Sequence, residues 1–411
     1  MKKILDVYLQ DSLIGTLRQH VSGQLSFCYD ATYIEKSANP ISISLPLQSE
    51  PFNDAVVRPF FSGLLPDESV RERLAKLLGV SEKNPFSLLL EIGGDCAGAL
   101  SLFSHGEKKS FDNNDIEILD NEKLKSILEL IKRRPMLAGD DGYRLSLAGA
   151  QDKLAVGFDN GQVVLLKGNL PTTHILKPLI NGVKDSAHNE LFCMKLAGLV
   201  GINVPSASLH FVNGTSYYLV ERYDRFIDSM GATHRIHQED FCQALAISPE
   251  NKYEREGGPS VASCMKLITD YSATPALDQI KFLNLLIFNF LIGNGDAHGK
   301  NVSFLYKNKK PVLAPAYDLL STSIYSDLST RMAMKIGGKY NPEDVFLRHF
   351  LKEAAHTKNA ELFVKKQIHS LSQKIILESE KLKKQLISEG ISSEVFDEII
   401  NVINVRSEKL K

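Results

Sequence analysis

The alternation of hydrophobic and polar residues divides the chain into a strand-rich beginning, a sheet-like middle and a mainly helical end. Residues 1–47 contain short alternating segments, VYLQ, GQLSFCY and PISISLPL, which are separated by Gly, Asn-Pro and Pro. Alternation with a period of two, bounded by such turn residues, is typical of strands. We therefore predict a β-rich N-terminal part.

Two later segments have the spacing of helices. SVRERLAKLLGV, residues 69–80, places its apolar residues on one helical face and ends at Gly79, a residue type that often terminates helices. Residues 116–134 are predicted to form a second amphipathic helix. Between the two, the polar stretch HGEKKSFDNND indicates a boundary.

Strands return in the middle of the chain, at residues 145–223. Five apolar segments there predict strands, KLAVGF, QVVLLKG, THILKPL, ASLHFV and TSYYLVERY, and residues 186–200 predict one helix among them. Beyond Gln238 the pattern is helical almost throughout, including an amphipathic, Lys-rich segment at residues 360–389. The chain thus consists of a β-rich piece, a sheet with one helix, and a helical region.

That order of elements is found in protein kinases, where a small sheet with one helix precedes a larger helical lobe. We therefore predict an α+β fold of the two-lobed, protein-kinase-like type. In such a small lobe, a strand lysine and a helix glutamate form an ion pair that orients the lysine toward the nucleotide phosphates. Lys177 ends the segment HILK and Glu190 lies on the following helix, so these two residues are the candidates.

The stretch GNGDAHGKN follows a long apolar run and carries the candidate catalytic residues. Asp296 precedes Asn301 by five residues, which is the spacing of the catalytic Asp and the metal-binding Asn in kinases. The carboxylate would accept the proton of the substrate hydroxyl while the amide oxygen holds a metal ion against the phosphates. Asp318, in LAPAYDLLS, is the candidate second metal ligand. Oxygen ligands without cysteine favour Mg²⁺.

Two further residues of this stretch have candidate roles, and two other interpretations compete. Lys300 would offset charge on the transferring phosphoryl group, and His298 would brace the loop by hydrogen bonding.

Asn294-Gly295 alone is a turn signal, so a lone NGD would be weak evidence for a catalytic site. The stretch also approaches a P-loop, but its spacing is one residue too long and Asn replaces Ser or Thr. We reject the P-loop interpretation.

The sheet region lacks the Gly-rich G-x-G-x-x-G loop that ordinarily covers the phosphates of a protein kinase. Its place, between the first two strands of the sheet, is taken by RLSLAGAQDKLAV. The small residues Ala148, Gly149 and Ala150 would let backbone amides approach an anion, and Lys153 follows them. A substitute phosphate loop and an ordinary turn between strands fit this composition equally well.

The charge balance limits the possible partners. The 411 residues include 48 basic and 49 acidic side chains, a formal net charge of -1. Such a chain has no global field that would attract nucleic acid or anionic lipid. Any contact with DNA is therefore expected to be local or made through a partner.

Cysteine usage and hydropathy indicate a reducing, cytoplasmic location without a membrane. The five cysteines are scattered, and no CxxC pair is present that would hold zinc or form a redox disulfide. Asp6, Gln10 and Asp11 interrupt the only candidate signal peptide. The longest apolar run, residues 285–292, contains Asn289 and is too short to span a bilayer as a helix.

Taken in order, several motifs resemble those of the HipA-like serine/threonine kinases, which are toxin components of bacterial toxin–antitoxin pairs. The resemblance spans nearly the whole chain and is carried by NPISISLPL, FFSGLLPDE, DCAGAL, SLAGAQDKL, ILKP, NELFCMKLA, VERYDR, HQEDFCQALA, NGDAHGKN and YDLLS. It implies a family-specific N-terminal subdomain at residues 1–135. A small nucleotide-binding lobe at 136–225 and a helical lobe with the catalytic loop at 226–411 would follow.

The resemblance also implies individual roles. Ser146 would be the residue that such kinases autophosphorylate, which in the family switches the enzyme off. The physics agrees, because a dianionic phosphoserine would compete for the loop's amides and eject the loop from the nucleotide site. The implied ATP- and metal-binding residues are the phosphate loop (Ala148, Gly149, Ala150, Gln151 and Lys153), the phosphate lysine Lys177, the adenine hinge (Glu221 and Tyr223), and the magnesium ligands Asn301 and Asp318, with Asp296 as base.

Family members phosphorylate a protein, in the best-known case a glutamyl-tRNA synthetase, and are held by a small helix-turn-helix antitoxin that binds operator DNA. The near-zero net charge agrees with DNA contact made mainly by such a partner. The motifs do not specify the target. Two alternatives therefore remain open: a kinase for a small molecule, and a catalytically idle corepressor bound to a DNA-binding partner.

Overall fold

The computed structural model describes seven stretches of the chain, residues 3–36, 39–107, 116–139, 144–167, 170–308, 310–353 and 357–411. Its contacts divide the chain into two compact units. Unit 1 comprises Met1–Pro178, His210–Glu250 and Ser303–Lys310, and unit 2 comprises Leu179–Leu209, Asn251–Val302 and Pro311–Lys411. Most of HGEKKSFDNND, the predicted boundary, lies outside the described residues.

The strands are, in chain order, β1 (Lys3–Leu9), β2 (Ser12–Gln19), β3 (Leu25–Tyr29), β4 (Asp95–Cys96), β5 (Leu100–Ser104), β6 (Ile116–Ile118), β7 (Leu145–Ser146), β8 (Leu154–Asp159), β9 (Gln162–Leu166), β10 (His174–Pro178), β11 (Ala207–Val212), β12 (Thr215–Glu221), β13 (Arg225–Ile227), β14 (Thr233–Arg235), β15 (Gln238–Asp240), β16 (Ser303–Lys307) and β17 (Lys310–Leu313).

The α-helices are α1 (Ala31–Glu35), α2 (Asp54–Gly63), α3 (Glu68–Leu78), α4 (Pro85–Ile92), α5 (Asn121–Leu130), α6 (Ser186–Val200), α7 (Phe241–Ala244), α8 (Val261–Tyr271), α9 (Pro275–Ile292), α10 (Leu347–Leu351), α11 (Lys358–Ser388) and α12 (Val395–Glu408). Short 3₁₀ helices include Glu254–Glu256 and Gly299–Asn301. The helices predicted at residues 69–80, 186–200 and 360–389 are confirmed as α3, α6 and α11.

The first sheet of unit 1 has the antiparallel strand order β3-β2-β1-β5, and its buried face packs on α2 and α4. The predicted strands VYLQ and GQLSFCY are confirmed, but PISISLPL is not a strand. It forms a turn, with a single bridge between Ser42 and Leu45. Its polar groups bond to a side chain instead of a neighbouring strand: the Ser42 hydroxyl and the Ile43 amide both donate to the carboxyl group of Glu239, at 2.5 and 3.0 Å.

The second sheet of unit 1 has the strand order β11-β12-β10-β8-β9-β6. Of β11, residues His210–Val212 belong to this unit. All five strands predicted in this region are confirmed. The helix predicted at residues 116–134 is only partly correct, because its first residues form β6, which pairs with β9. Asp120 then caps α5 by accepting a hydrogen bond from the Lys123 amide at 2.8 Å, and a helix cannot extend back through its own cap.

Unit 2 is built around α9, which packs against α8, α11 and α12. Among the described residues α9 is the one helix that is long and apolar enough to cross a membrane, but half of it is buried in the unit, as a core helix would be. The apolar run is therefore longer than the sequence suggested. The prediction of helix almost throughout after Gln238 is wrong for residues 303–345, which contain β16, β17 and irregular loops.

The three-part division at residues 135 and 225 stays a prediction. Within unit 1 the buried side chains form two clusters, one drawn mainly from residues 5–102 and the other from residues 119–219. β6 belongs to the second cluster's sheet although it precedes residue 135.

Candidate active site

The candidate catalytic loop begins where α9 ends. Gly293 terminates the helix with a φ of +83°, a conformation that favours glycine. The side chain of Asn294 donates to Oδ1 of Asn289 at 3.1 Å, and its own Oδ1 accepts from the amide of Asp296 at 3.0 Å. Two asparagine side chains thus connect the buried helix to the backbone of the predicted base.

Asp296 and Asn301 contact each other within the loop. The Nδ2 group of Asn301 donates to the carbonyl oxygen of Asp296 at 3.0 Å, so the amide nitrogen faces the loop and Oδ1 is the group left to bind a cation. The Asp296 side chain is 43% exposed, which gives a substrate hydroxyl access to it. Its Oδ1 accepts a hydrogen bond from the hydroxyl of Tyr253 at 2.5 Å.

The segment that carries Asp318 is bonded to the same loop. The hydroxyl of Tyr317 donates to the carbonyl of Lys300 at 2.5 Å, and the amide of Gly295 donates to Oγ1 of Thr322 at 2.8 Å. Asp318 itself has a φ of +58°, a strained conformation that Asp tolerates better than most residues and that is common at functional sites.

These residues fit a magnesium ion. Asn301 and Asp318 supply oxygen donors from neighbouring segments, and Mg²⁺ characteristically binds a few protein oxygens while phosphate and water complete its coordination. Over the described ranges there is no group of three or more His, Cys, Asp or Glu side chains that would hold a metal without such help.

His298 and Lys300 are buried side chains of the loop. The amide of His298 donates to the carbonyl of Asp296 at 2.8 Å, and its own carbonyl accepts from the amide of Asn301 at 2.9 Å. Its Nε2 lies 4.0 Å from Oδ2 of Asp296. His298 therefore braces the loop through its backbone and flanks the carboxylate with its ring, whereas the role of Lys300 stays a prediction.

The predicted glutamate, Glu190, is buried in α6 beside a residue that binds the Asp318 segment. Asn189 donates to the carbonyl of Ser321 at 2.8 Å and accepts from the amide of Ser321 at 2.8 Å. It also donates to the hydroxyl of Tyr325 at 3.1 Å. The helix that carries Glu190 is therefore bonded to the segment that follows Asp318.

In unit 1, the predicted phosphate loop joins β7 to β8. The prediction that this loop lies between the first two strands of the sheet is wrong, because β7 pairs in parallel with β4 and does not join that sheet. The loop rests on the segment after α2: Ser146 is fully buried and its hydroxyl donates to the carbonyl of Leu64 at 2.7 Å, while the amide of Asp67 donates to the carbonyl of Gly149 at 3.1 Å.

Contacts inside the loop explain its small residues. Gly149 has a φ of +113°, and a Cβ there would lie 2.5 Å from Nζ of Lys153. That ammonium group donates to the carbonyl of Ala148 at 2.6 Å, and so closes the loop on itself. Gln151 donates to the carbonyl of Pro178 at 3.3 Å, which connects the loop to the strand of Lys177. Ala150 follows Gly149 within the loop.

The other predicted nucleotide residues lie on β10 and at the end of β12. Lys177 is buried opposite Tyr218, and its Nζ lies 5.7 Å from the centre of that ring. Glu221 ends β12, paired with His174. The hydroxyl of Tyr223 donates to Oε1 of Gln238.

Sequence reasoning missed a buried ionic cluster behind the predicted hinge. Asp95 accepts from Arg225 and Arg235 at 2.9 Å each and from Arg222 at 3.2 Å, and Asp224 accepts from Arg222 at 2.9 Å. Burial raises the pKa of Asp95, but the guanidinium groups of Arg225, Arg222 and Arg235 outweigh it and hold the pKa well below its usual range. The motifs DCAGAL and VERYDR contain most of these charges, but neither motif shows that they pair.

The structure thus brings the predicted residues together in two sets. Unit 2 contains the catalytic set (Glu190, Asp296, His298, Lys300, Asn301 and Asp318), and unit 1 contains the nucleotide set (Ser146, Ala148, Gly149, Ala150, Gln151, Lys153, Lys177, Glu221 and Tyr223). The ion pair between Lys177 and Glu190 would join the units and stays a prediction. Tyr253, 43 residues before Asp296, was missed because no local pattern marks it.

Comparisons with known proteins identify relatives over most of the chain. Residues 145–381 match the family model of the HipA-like C-terminal domain, and residues 5–103 match that of the HipA N-terminal domain. The putative kinase Y4mE of Sinorhizobium fredii is 44% identical over 82% of this chain and 81% of its own length. The serine/threonine-protein kinase toxin HipA of Shewanella oneidensis is 30% identical over 83% of this chain and 80% of its own length.

Among solved structures, HipA in the Shewanella oneidensis complex of HipA, HipB and operator DNA superposes with a TM-score of 0.84. It is 26% identical and covers 99% of this chain and 97% of its own. The chain therefore belongs to the HipA-like family of kinases and has that family's α+β, kinase-like fold.

Proposed function

We propose that the protein is an ATP- and Mg²⁺-dependent serine/threonine protein kinase that acts as a cytoplasmic toxin and inactivates itself by phosphorylating Ser146. The observation that carries this proposal is the geometry of the loop after α9. The exposed carboxylate of Asp296 lies beside Asn301, whose amide nitrogen is bonded to the loop, and the segment of Asp318 is bonded to the same loop. A base and two oxygen ligands in this order are what phosphoryl transfer requires.

The reaction itself is a displacement at the γ-phosphorus of ATP. The oxygen of the substrate hydroxyl forms a bond to that phosphorus while the bond to the β,γ-bridging oxygen breaks, and the electron pair leaves with ADP. The hydroxyl proton passes to the carboxylate of Asp296. Asn301 and Asp318 would hold a Mg²⁺ ion, which would neutralise charge on the phosphate oxygens.

Nucleotide binding is assigned to unit 1. Lys177 would pair with the phosphates, Glu221 and Tyr223 would border the adenine, and the loop from Ala148 to Lys153 would cover the phosphates with its amides. The small residues and the left-handed Gly149 support this role, because backbone amides approach an anion most closely where side chains are short.

The buried position of Ser146 supports a self-inhibitory switch. A phosphate dianion cannot occupy the site of a fully buried hydroxyl without a large desolvation cost. Phosphorylation therefore requires the loop to leave the segment at Leu64, and the modified loop would be unable to return. The nucleotide site would then lose its phosphate cover.

The proposed antitoxin is supported by a structural relative, whereas the proposed target is what the resemblance to the HipA-like kinases implies. A HipB-like helix-turn-helix antitoxin is supported by the Shewanella oneidensis complex, in which HipA is bound to HipB and operator DNA. The net charge of -1 supports DNA contact made mainly through that partner. An aminoacyl-tRNA synthetase, glutamyl-tRNA synthetase in the first instance, is the proposed target, and its phosphorylation would halt translation and produce dormancy.

The proposal is tested by the intact mass of phosphatase-treated protein before and after incubation with ATP and Mg²⁺. We expect a gain of one phosphate, which peptide mapping places on Ser146 and which Asp296→Ala abolishes. ATP binding without any gain in mass would contradict autophosphorylation. Phosphate that accumulates only on metabolites of a lysate would replace the protein kinase with a small-molecule kinase.

A further inference from the structure

Tyr253 contacts the predicted catalytic base directly. Its hydroxyl donates a hydrogen bond of 2.5 Å to Oδ1 of Asp296. Its ring also makes a T-shaped contact with that of His298, with ring centres 5.3 Å apart and planes at 81°. One tyrosine thus touches both side chains that flank the position of the proton to be removed.

The backbone around Tyr253 is bonded to the rest of unit 2 on both sides. The carbonyl of Lys252 accepts from the amide of Gly299, in the catalytic loop, at 3.4 Å. The amide of Glu254 donates to the carbonyl of Ala333 at 3.0 Å, and its carboxylate accepts from the amide of Lys335 at 2.6 Å. Tyr253 is therefore placed by the fold and does not reach Asp296 by a chance rotation of a surface side chain.

Two cations lie over the ring. Nζ of Lys252 is 5.5 Å and the guanidinium carbon of Arg255 is 5.4 Å from its centre. Cations over an aromatic face are attracted to its electrons. This attraction stabilises the position of the ring.

We propose that Tyr253 is a positioning residue for phosphoryl transfer: it binds Oδ1 of Asp296 and so presents Oδ2 to the substrate hydroxyl. This inference rests on the proposed kinase activity. An exposed carboxylate that lacks a bonded neighbour rotates and bonds to water, and each wrong orientation is unproductive. Misplacement of a reacting group by about 1 Å costs up to about a hundredfold in rate, and loss of one orienting bond is expected to cost about tenfold.

The test is Tyr253→Phe, which keeps the ring, its T-shaped contact with His298 and its two cations, and removes only the hydroxyl. We expect the maximal rate of autophosphorylation at saturating ATP to fall about tenfold. The ATP concentration that gives half of that rate is expected to change less than twofold. Tyr271→Phe is the matched control, because Tyr271 belongs to the same unit and is 49% exposed, and its rate is expected to equal that of the unmodified protein.

The concentration of molecules that bind nucleotide is measured by titration with a fluorescent ATP analogue, and each rate is divided by that concentration. A variant that is partly unfolded is then not mistaken for one with slower catalysis. An unchanged rate for Tyr253→Phe overturns the inference, and so does a loss that disappears after this correction, since that result would show a purely structural role. A rise in rate also overturns it, because the hydroxyl would then compete with the substrate. If the unmodified protein takes up no phosphate, the proposed kinase activity is contradicted. That outcome is distinguishable from a result that contradicts only the role of Tyr253.

Discussion

Glu239 is a buried carboxyl group surrounded by donors that are far from it in sequence. Besides Ser42 and the amide of Ile43, the hydroxyl of Tyr306 donates to it. Burial raises the pKa of Glu239 to about 7, although the hydrogen bonds from Ser42 and Tyr306 lower it and the neighbouring Asp240 raises it further. This group therefore binds its proton more tightly in the folded protein than in the unfolded chain.

Glu239 makes stability depend on pH. A group whose pKa is raised on folding contributes stability that is fully present when the pH is below its ordinary pKa, here 4.5. That stability is lost as the pH rises through about 7. The full effect is on the order of 3 kcal/mol. The side chain of Glu239→Gln is uncharged at every pH. The melting temperature of this variant minus that of the unmodified protein is therefore expected to increase from pH 5 to pH 8.5.

A constant difference in melting temperature across that range would contradict the assignment. His237 has the opposite dependence, because burial lowers its pKa from 6.5 to about 4 and its contribution to stability is lost as the pH falls from about 6.5 to about 4. Both proteins contain His237, so this loss cancels in the difference between their melting temperatures.

Candidate residues of the catalytic loop could be proposed from the sequence because the relevant spacing is local. Asp296 and Asn301 are five residues apart, and a single loop sets their geometry. The partners of these residues could not be predicted. Tyr253 approaches Asp296 across 43 residues, and Glu239 meets Ser42 across 197. Such contacts depend on which surfaces the fold buries against each other, and the periodicity of apolar residues along the sequence does not predict them.

At the scale of elements, the junction between α9 and the catalytic loop requires a residue without a side chain. Gly293 has a φ of +83°, and a Cβ there would lie 2.9 Å from both Ser323 and Val402. The carbonyl of Gly293 also accepts from the hydroxyl of Ser323 at 2.9 Å. The helix end and the segment after Asp318 are therefore in close backbone contact.

Gly293→Ala is expected to be strongly destabilising. The left-handed conformation alone costs an alanine roughly 1–2 kcal/mol, and the contacts with Ser323 and Val402 add to that cost. Gly338→Ala is the matched control, because Gly338 has a φ of +87° and an added Cβ would meet nothing within 4 Å. The midpoints of urea unfolding measure both variants. Equal losses of stability would show that the clash at Gly293 is relieved by movement of its neighbours.

Elements could be predicted where one pattern continues long enough. α6 and α11 coincide with the predicted helices. The apolar residues of α11 recur over many turns, whereas α6 is a long segment that is buried on most of its surface. The segment PISISLPL alternates like a strand yet forms a turn, since Glu239 takes the place of a neighbouring strand. β6 was predicted as helix because three residues are too few to establish a period.

At the scale of the whole molecule, distant parts of the sequence are held together inside unit 1 by the Asp95 cluster. Asp95 follows the N-terminal helices, Arg222 and Arg225 follow β12, and Arg235 ends β14. Thr172 also donates to Asp95 at 3.0 Å. The cluster lies between β4, which pairs with the Ser146 strand, and the predicted adenine hinge.

Asp95→Asn is expected to lower the free energy of unfolding by about 3–5 kcal/mol, because it leaves buried guanidinium groups without enough negative charge. Asp228→Asn is the control, since Asp228 is paired with the exposed His234 and its loss is expected to have no measurable effect. Urea unfolding at neutral pH compares the two. A midpoint for Asp95→Asn equal to that of the control would show that the cluster contributes no net stability.

From the sequence alone we could predict the class of fold, the helices α3, α6 and α11, five of the six strands of the second sheet, and the spacing of Asp296 and Asn301. These are local properties, since period, capping and spacing within one loop depend on neighbours along the chain. The folded structure was needed to show that Ser146 is buried against Leu64, that Tyr253 binds the predicted base, and that Asp95 contacts three arginines. Those contacts join residues that are far apart in sequence, and burial and packing select them.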